Sequence, residues 1–151
     1  MIRVYLASGW FNETQKTIME EIYRVLVKLK DENLVEVFAP FYNGIVLKPT
    51  DSRERWETVF KLDVDMIQLS NLMIANIEGF EPGTIFETGI AYAKNVPVIA
   101  YSSVKGRGLN LMLAQSCMGF ANSPIELEHY LRTFIANPDI KVLSKWEGEP
   151  I

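Results

Sequence analysis

Four short apolar segments, each followed by a turn and then by a helical pattern, constrain the fold of this chain most. They are IRVYLAS, VEVFAP, LMIANI and VPVIAY, and their β-branched residues are typical of buried strands. After the first segment, apolar residues recur at helical spacing at Ile18, Ile22, Val25, Leu26 and Leu29. Strands that alternate with helices predict a parallel sheet with helices on both faces. We therefore predict an α/β fold with a single doubly wound, flavodoxin/Rossmann-like parallel sheet.

The remaining elements follow from capping residues and turn signals. Asn12 is expected to cap the first helix, with Gln15 at the capping-box position. Further helices are predicted over residues 52–70, 84–94, 111–118 and 124–136, and a last strand at KVLSKW. The chain has 151 residues and is 48% hydrophobic, so it can bury a core of its own. We expect one domain over residues 1–151.

Charge and cysteine content exclude several classes of function. The net charge of −4 and pI near 5.1 provide no general attraction to nucleic acids or anionic membranes. One cysteine, Cys117, and one histidine, His129, argue against an internal disulfide and against a His/Cys zinc site. No apolar run reaches the roughly 20 residues that a membrane helix needs. We expect a soluble cytoplasmic protein that needs no metal.

Polar and aromatic residues cluster after the predicted strands. In open parallel sheets, ligands bind outside the carboxyl ends of the strands. The segments in this position are Ser8–Phe11, Phe41–Asn43, Glu78–Glu87 and Ser102–Arg107. We expect the four segments to share one rim of the sheet.

Asp63 is a carboxylate on a helix face that otherwise carries apolar residues. Trp56, Phe60 and Ile67 recur at spacings that predict an inner face, and Asp63 lies on the same stripe. A carboxylate there is costly unless it is hydrogen-bonded, paired or open to a cleft. Asp63 is therefore either a cap to a neighbouring backbone N–H or a functional group in a cleft.

Glu87 also allows two interpretations. Thr84 and Glu87 fit the TxxE capping box, in which Thr84 would cap the helix and Glu87 would bind back to it. Alternatively, a carboxylate in the first helical turn is favoured in its ionised form by the helix dipole. Small neighbours, Gly83 and Gly89 among them, would let a ligand approach, and an ionised carboxylate is a competent nucleophile toward a glycosidic carbon. The two roles are compatible.

Trp10 and Phe11 directly follow the first strand. Aromatic surface left exposed is normally used or buried. The pair is either a wall on which a flat base stacks or a plug at the end of the core.

Four sequence pieces, in order, carry a resemblance to a known family. They are VYLASGWF, the Asp within FKLDVDMIQLSNLMIANI, EGFEPGTIFETGIAYA, and LNLM. Over most of its length the chain resembles the nucleoside 2-deoxyribosyltransferases. The resemblance implies that Glu87 forms a covalent deoxyribosyl ester, that Asp63 manages the proton of the base, and that Tyr5 orients the nucleophile.

The resemblance also implies a substrate site completed by a second chain. Trp10 and Phe11 match aromatics of the base pocket, while Asn110 and Met112 match residues that reach a neighbouring subunit's site, where the Asn binds the sugar 5′-hydroxyl. Glu81 occupies a position where the family commonly has Asp, and the usual final tyrosine is missing. The candidate substrate-binding residues are Ser8, Gly9, Trp10, Phe11, Glu81, Gly83, Asn110 and Met112. The implied assembly is a homo-oligomer built from dimers, usually a hexamer, without cofactors.

The implied activity is exchange of nucleobases on 2′-deoxynucleosides, by ping-pong kinetics with retention of configuration. One alternative is hydrolysis of 2′-deoxynucleoside 5′-monophosphates, with Ser8, Ser102, Ser103 and Arg107 available for the phosphate. Another is a nucleotide-binding module without catalysis, in which Glu87 is only a capping residue.

Overall fold

Five parallel strands form the central sheet of the computed structural model, which describes all residues from 1 to 151. The strands are β1 (Ile2–Ala7), β2 (Val35–Phe38), β3 (Leu72–Asn76), β4 (Val98–Tyr101) and β5 (Gly119–Ala121). Their order is β2-β1-β3-β4-β5, and each neighbouring pair is parallel. This is the flavodoxin-like order, and the predicted fold class is confirmed.

Five helices cover the two faces of the sheet. They are α1 (Glu13–Asp31), α2 (Arg53–Leu69), α3 (Pro82–Ala93), α4 (Leu111–Ser116) and α5 (Pro124–Ala136), with a 3-10 turn at Glu78–Phe80. The apolar stripes of α1 and α5 pack in the core on one face. Ile67 of α2, Ala91 of α3 and Leu113 of α4 pack in the core on the other. None of the helices combines the length and the hydrophobicity that crossing a membrane requires.

Side-chain caps position the helices as local chemistry predicts. The Asn12 Oδ1 atom accepts a hydrogen bond from the Gln15 N–H at 2.9 Å, as expected for α1. Ser52 and Ser123 act in the same way at α2 and α5. The predicted cap of α3 is wrong. Helix α3 begins at Pro82, and its N-cap is Glu81 rather than Thr84.

The strand predicted near the end of the chain is also wrong. The segment KVLSKW forms no strand, and the fifth strand is instead Gly119–Ala121, which pairs with β4. The Ser144 hydroxyl, within KVLSKW, accepts a hydrogen bond from the Phe120 N–H at 2.8 Å. The segment therefore packs beside β5 through isolated hydrogen bonds and not through a ladder.

The inner face predicted for α2 needs a correction. Its buried residues are Val59 and Ile67, with Asp63 between them at the i+4 position. Trp56 and Phe60 are exposed, and the Phe60 ring lies 6.5 Å from that of Phe86 in α3. Phe60 therefore faces the neighbouring helix rather than the sheet.

Candidate active site

Asp63 and Glu87 line one cleft, which lies beyond the carboxyl end of β1. The cleft has a volume of about 260 Å³. It is lined by Ser8, Trp10, Phe11, Pro40, Ile45, Val46, Leu47, Val59, Asp63, Glu81, Gly83 and Glu87. Most of the residues predicted for a substrate site therefore come together from three separate parts of the chain.

Tyr5 holds the carboxylate of Glu87. The Tyr5 hydroxyl donates a hydrogen bond to Glu87 Oε1 at 2.7 Å. The Tyr5 ring is fully buried and stacks on Phe38, with ring centroids 5.6 Å apart. Because the donor is fixed in the core of the protein, the orientation of the carboxylate is fixed as well.

The surroundings of Glu87 favour its protonated form. The pKa of Glu87 is raised to about 7: burial raises it most, the hydrogen bond from Tyr5 lowers it, and the charges of Asp63 and Glu81 add to the rise. Glu87 lies in the second turn of α3 and is not part of a capping box. The capping interpretation of Glu87 is therefore wrong.

Asp63 has no partner within the chain. Its Oδ1 atom is buried and accepts no hydrogen bond. Burial raises the pKa of Asp63 to about 6. The expected alternative, a cap to a neighbouring backbone N–H, is not found. A buried acceptor without a donor is costly unless a ligand or water completes it. Its position in the cleft places this acceptor beside Glu87.

Aromatic rings form one wall of the cleft. The Trp10 ring lies 5.3 Å from that of Phe11 and 5.5 Å from that of Phe41. Trp10 packs partly against the core on the α1 side, whereas Phe11 is 70% exposed. Trp10 therefore both packs against the core and lines the cleft, while Phe11 lines the cleft with an exposed ring.

Glu81, Ser8 and Gly9 are held by short contacts around the cleft. The Glu81 carboxylate accepts hydrogen bonds from the Gly83 N–H at 2.9 Å and from the Thr84 N–H at 2.7 Å. The Ser8 hydroxyl donates to the Gly9 carbonyl at 2.8 Å. It also accepts from the Asn76 side chain at 2.9 Å. Ser8 is buried, so its hydroxyl contributes to the backbone geometry at the base of the cleft.

The segment from Ser102 to Arg107 does not join this cleft. The Arg107 Nη2 atom lies 2.9 Å from Glu78 Oε2, and the Ser103 hydroxyl donates to Glu78 Oε1 at 2.7 Å. Burial by itself would raise the pKa of Glu78, but the hydrogen bonds from Ser103 and the charge of Arg107 hold it below its usual value. Ser102 and Arg107 line a separate cavity of about 110 Å³. The segment therefore lies on the expected rim beside Glu78, but it does not line the Glu87 cleft.

Asn110 and Met112 lie at a different groove of the same chain. This groove has a volume of about 650 Å³ and is lined by residues of α3, α4 and the C-terminal Ile151. The Asn110 side chain accepts a hydrogen bond from the Met112 N–H at 3.0 Å and so caps α4. The Met112 side chain is 79% exposed. Neither residue meets Glu87 within one chain.

Sequence reasoning placed the loop after β2 at the rim of the site, but it singled out none of the apolar residues that line the cleft, and it missed the role of Gln15. The cleft is lined by the loop residues Pro40, Ile45, Val46 and Leu47 and by Val59 of α2, and apolar side chains carry no signal of chemistry. Gln15 was identified only as a capping residue, but its buried Oε1 atom accepts a hydrogen bond from the Phe11 N–H at 3.1 Å. Nowhere in the chain are three or more His, Cys, Asp or Glu side chains grouped as metal ligands.

Comparison with known proteins places this arrangement in a family. The sequence profile described as nucleoside 2-deoxyribosyltransferase matches residues 4–123. A 2-deoxyribosyltransferase from Bacillus psychrosaccharolyticus has a similar structure, with a TM-score of 0.75 and 28% identity, over 88% of this chain and 95% of that one. No curated protein sequence matches the chain.

Two further solved structures share the fold at lower identity. A CMP N-glycosidase from Clostridium botulinum has a TM-score of 0.59 and 22% identity, over 87% of this chain and 98% of that one. A conserved protein from Enterococcus faecalis V583 has a TM-score of 0.66 and 18% identity, over 88% and 98%. At these identities the likeness concerns the fold alone. The profile match extends over most of the chain, and the protein therefore belongs to the nucleoside 2-deoxyribosyltransferase family.

Proposed function

We propose that this protein transfers 2-deoxyribose from one nucleobase to another, with Glu87 as the covalent nucleophile. The observation that carries the proposal is the hydrogen bond of 2.7 Å from Tyr5 to Glu87, in a cleft that also holds Asp63. Membership of the family supports the same assignment. The aromatic wall at Trp10 and Phe11 offers a surface on which any nucleobase can stack.

In the first displacement, Glu87 attacks C1′ of a 2′-deoxynucleoside. A bond forms between a carboxylate oxygen and C1′ while the bond from C1′ to the base nitrogen breaks. The electron pair of that bond stays on the base, which takes the proton of Asp63 and leaves as a neutral molecule. Tyr5 keeps the carboxylate in line through its hydrogen bond.

In the second displacement, an incoming base attacks the same carbon. Its nitrogen forms a bond to C1′, the ester bond to Glu87 breaks, and the carboxylate is restored. Asp63 receives the proton that the new base loses. Two inversions at C1′ retain the β configuration, and the exchange follows ping-pong kinetics.

The two carboxylates titrate in the same pH range, and the higher pKa of Glu87 places a single proton mainly on Glu87 before a substrate binds, so the reactive form, with the proton on Asp63, is the minor one. The first step needs one proton on the pair, since Asp63 must be protonated while Glu87 is ionised. Burial raises the pKa of Asp63 to about 6 and that of Glu87 to about 7, so the pair binds its first and second protons in this range. We expect a bell-shaped rate profile with its maximum between about pH 6 and 7.

The charge of the cleft supports nucleosides over nucleotides as substrates. Its lining contains Asp63, Glu81 and Glu87 but no lysine or arginine, so a phosphate dianion would meet repulsion. Arg107, the cation expected to serve a phosphate, is paired with Glu78. The structural likeness to a CMP N-glycosidase keeps hydrolysis of a 5′-monophosphate as the second candidate.

We further propose that the active form is a homo-oligomer, in which Asn110 and Met112 complete the cleft of a neighbouring chain. Asn110 lies outside the Glu87 cleft, and Met112 is one of the most exposed apolar residues. Apolar side chains around them, such as Leu111 and Tyr92, are also exposed. Burial of such a surface is a common reason for stable association.

The deciding experiment mixes the purified protein with thymidine and adenine and separates the products by chromatography. Formation of deoxyadenosine with an equal amount of thymine supports transfer. Formation of thymine alone means that water is the acceptor. If neither this mixture, nor purine deoxynucleosides, nor 2′-deoxynucleoside 5′-monophosphates react, the protein is a binding module and the proposal is refuted.

Variants test the roles of the two carboxylates. Glu87→Ala should abolish transfer while the protein remains folded. Asp63→Asn should lower the rate by about 10²–10⁴-fold, as is typical for loss of a general acid. Asp65→Asn is the matched control, because Asp65 lies two residues further along α2 and is exposed. Normal turnover in Glu87→Ala would refute the assignment of the nucleophile.

A further inference from the structure

Glu81 lies in the cleft, but its carboxylate is mostly used by the protein itself. Oε1 accepts a hydrogen bond from the Gly83 N–H at 2.9 Å. Oε2 accepts one from the Thr84 N–H at 2.7 Å and one from the Thr84 hydroxyl at 3.0 Å. An ionised carboxylate has about four acceptor sites, so three donors leave little capacity for a substrate. The side chain satisfies N–H groups that the first turn of α3 leaves unpaired.

The stem of Glu81 also contacts the segment that carries the aromatic wall. A Cβ atom added to Gly9 would lie 2.7 Å from Glu81 Cγ and 2.7 Å from Gln15 Oε1, so the Gly9 backbone lies between the two side chains. Gln15 in turn accepts the hydrogen bond from the Phe11 N–H. Aspartate, which is one methylene shorter, would not reach Gly9 in the same way. Glu81 therefore joins the first turn of α3 to residues 8–11.

The charge of Glu81 acts on Glu87, which follows it in the same helix. Tyr5 faces Glu87 from β1, Asp63 faces it from α2, and Glu81 faces it from the start of α3. Burial raises the pKa of Glu87 most and the hydrogen bond from Tyr5 lowers it, while the charges of Asp63 and Glu81 raise it further. No lysine or arginine lines the cleft to oppose them.

We infer that Glu81 is a positioning residue, which caps the helix of the nucleophile, holds it against residues 8–11, and presents a fixed negative charge to Glu87. The inference rests on the proposed role of Glu87 and gives Glu81 a different function from direct substrate binding. It explains why glutamate serves at this position, since only the longer side chain both caps α3 and contacts Gly9.

Three variants separate the cap from the charge. Glu81→Asp keeps a capping carboxylate, Glu81→Asn keeps a capping oxygen without the charge, and Glu81→Ala removes both. Infrared titration can follow the protonated carboxyl band that is lost in Glu87→Gln. The melting temperature shows how much the cap of α3 stabilises the protein. Both measurements need no turnover, so their outcome does not depend on whether the wild-type protein transfers deoxyribose.

We expect Glu87 to titrate at lower pH in Glu81→Asn than in Glu81→Asp. We expect Glu81→Ala to melt about 2–4 °C below Glu81→Asp, as the loss of one cap predicts for a protein of this size. Equal titration of Glu87 in the Asp and Asn variants would overturn the role of the charge, and equal melting temperatures would overturn the cap. A raised KM for the nucleoside in Glu81→Asn, with the titration of Glu87 the same as in Glu81→Asp, would show direct substrate binding instead.

Discussion

The substitution Glu87→Gln should change how the stability of the protein depends on pH. Burial raises the pKa of Glu87 from its ordinary value of 4.5 to about 7. At 1.36 kcal/mol for each pH unit, this corresponds to about 3 kcal/mol between the folded and unfolded chains. Glutamine keeps the shape of the side chain and can still accept the hydrogen bond from Tyr5, so the substitution removes mainly the titration.

The sign follows from proton binding. Between pH 4.5 and about 7 the folded protein keeps a proton on Glu87 that the unfolded chain has released. Stability must therefore fall as pH rises through this window, by at most about 1.4 kcal/mol per pH unit for this group. Below pH 4.5 both the folded and the unfolded chain hold the proton, so the penalty in unfolding free energy that ionised Glu87 imposes vanishes. In Glu87→Gln the penalty is absent at every pH.

Urea unfolding at a series of pH values from 4 to 8, at one protein concentration, measures this difference. When the curves of unfolding free energy against pH are superimposed at pH 4, we expect that of Glu87→Gln to lie up to about 3 kcal/mol above that of the wild type at pH 7.5. The same substitution at exposed Glu57 controls for the loss of one negative charge. If wild type and Glu87→Gln give parallel curves, the argument that burial perturbs Glu87 is refuted.

Three further substitutions test single contacts. Tyr5→Phe removes the hydrogen bond that favours ionised Glu87, so the infrared titration of Glu87 should move to higher pH; an unchanged midpoint would contradict this. Arg107→Met leaves the buried carboxylate of Glu78 without its cation and should lower the unfolding free energy by about 3–5 kcal/mol, measured with urea at pH 7. Gly9→Ala should cost about 1–3 kcal/mol in the same assay, because the methyl group has no space, and wild-type stability would show that the site relaxes freely.

Most of the sheet could be predicted because its strands are apolar enough to be read from sequence. The residues of β3 and β4 are all buried, as are the last four of β1, as expected for strands covered on both faces. The fifth strand, Gly119–Ala121, has only three residues and begins with glycine, which disfavours strands locally. Its conformation depends on parallel pairing with β4, a contact that sequence patterns do not reveal. KVLSKW was the better local pattern, but it lies beside the edge strand β5 with isolated hydrogen bonds and does not pair as a strand.

The carboxylates of the cleft could be located from sequence, whereas the partners of those carboxylates could not. Asp63 was recognisable because it interrupts an apolar stripe, and Glu87 because it follows a strand-end turn. The TxxE pattern then favoured Thr84 as the cap of α3. Glu81 caps the helix in place of Thr84, because its longer side chain extends past Pro82 to the unpaired N–H groups of Gly83 and Thr84. Capping preferences read from sequence depend on residue type, and they do not show which side chain is long enough to contact the unpaired N–H groups.

The interpretation of Arg107 shows how one long-range pairing changes a functional conclusion. Serines 102 and 103 with Arg107 have the composition of a phosphate site, but all three bind Glu78, which is only 4% exposed. A phosphate that took Arg107 would leave Glu78 buried without its cation, at a cost of about 3–5 kcal/mol. At 1.4 kcal/mol per tenfold change in affinity, this penalty would weaken phosphate binding by at least about 10²-fold. Arg107 is thus committed to Glu78 outside the Glu87 cleft, and the cleft has no lysine or arginine of its own for a phosphate, which is a physical reason to expect nucleosides rather than nucleotides there.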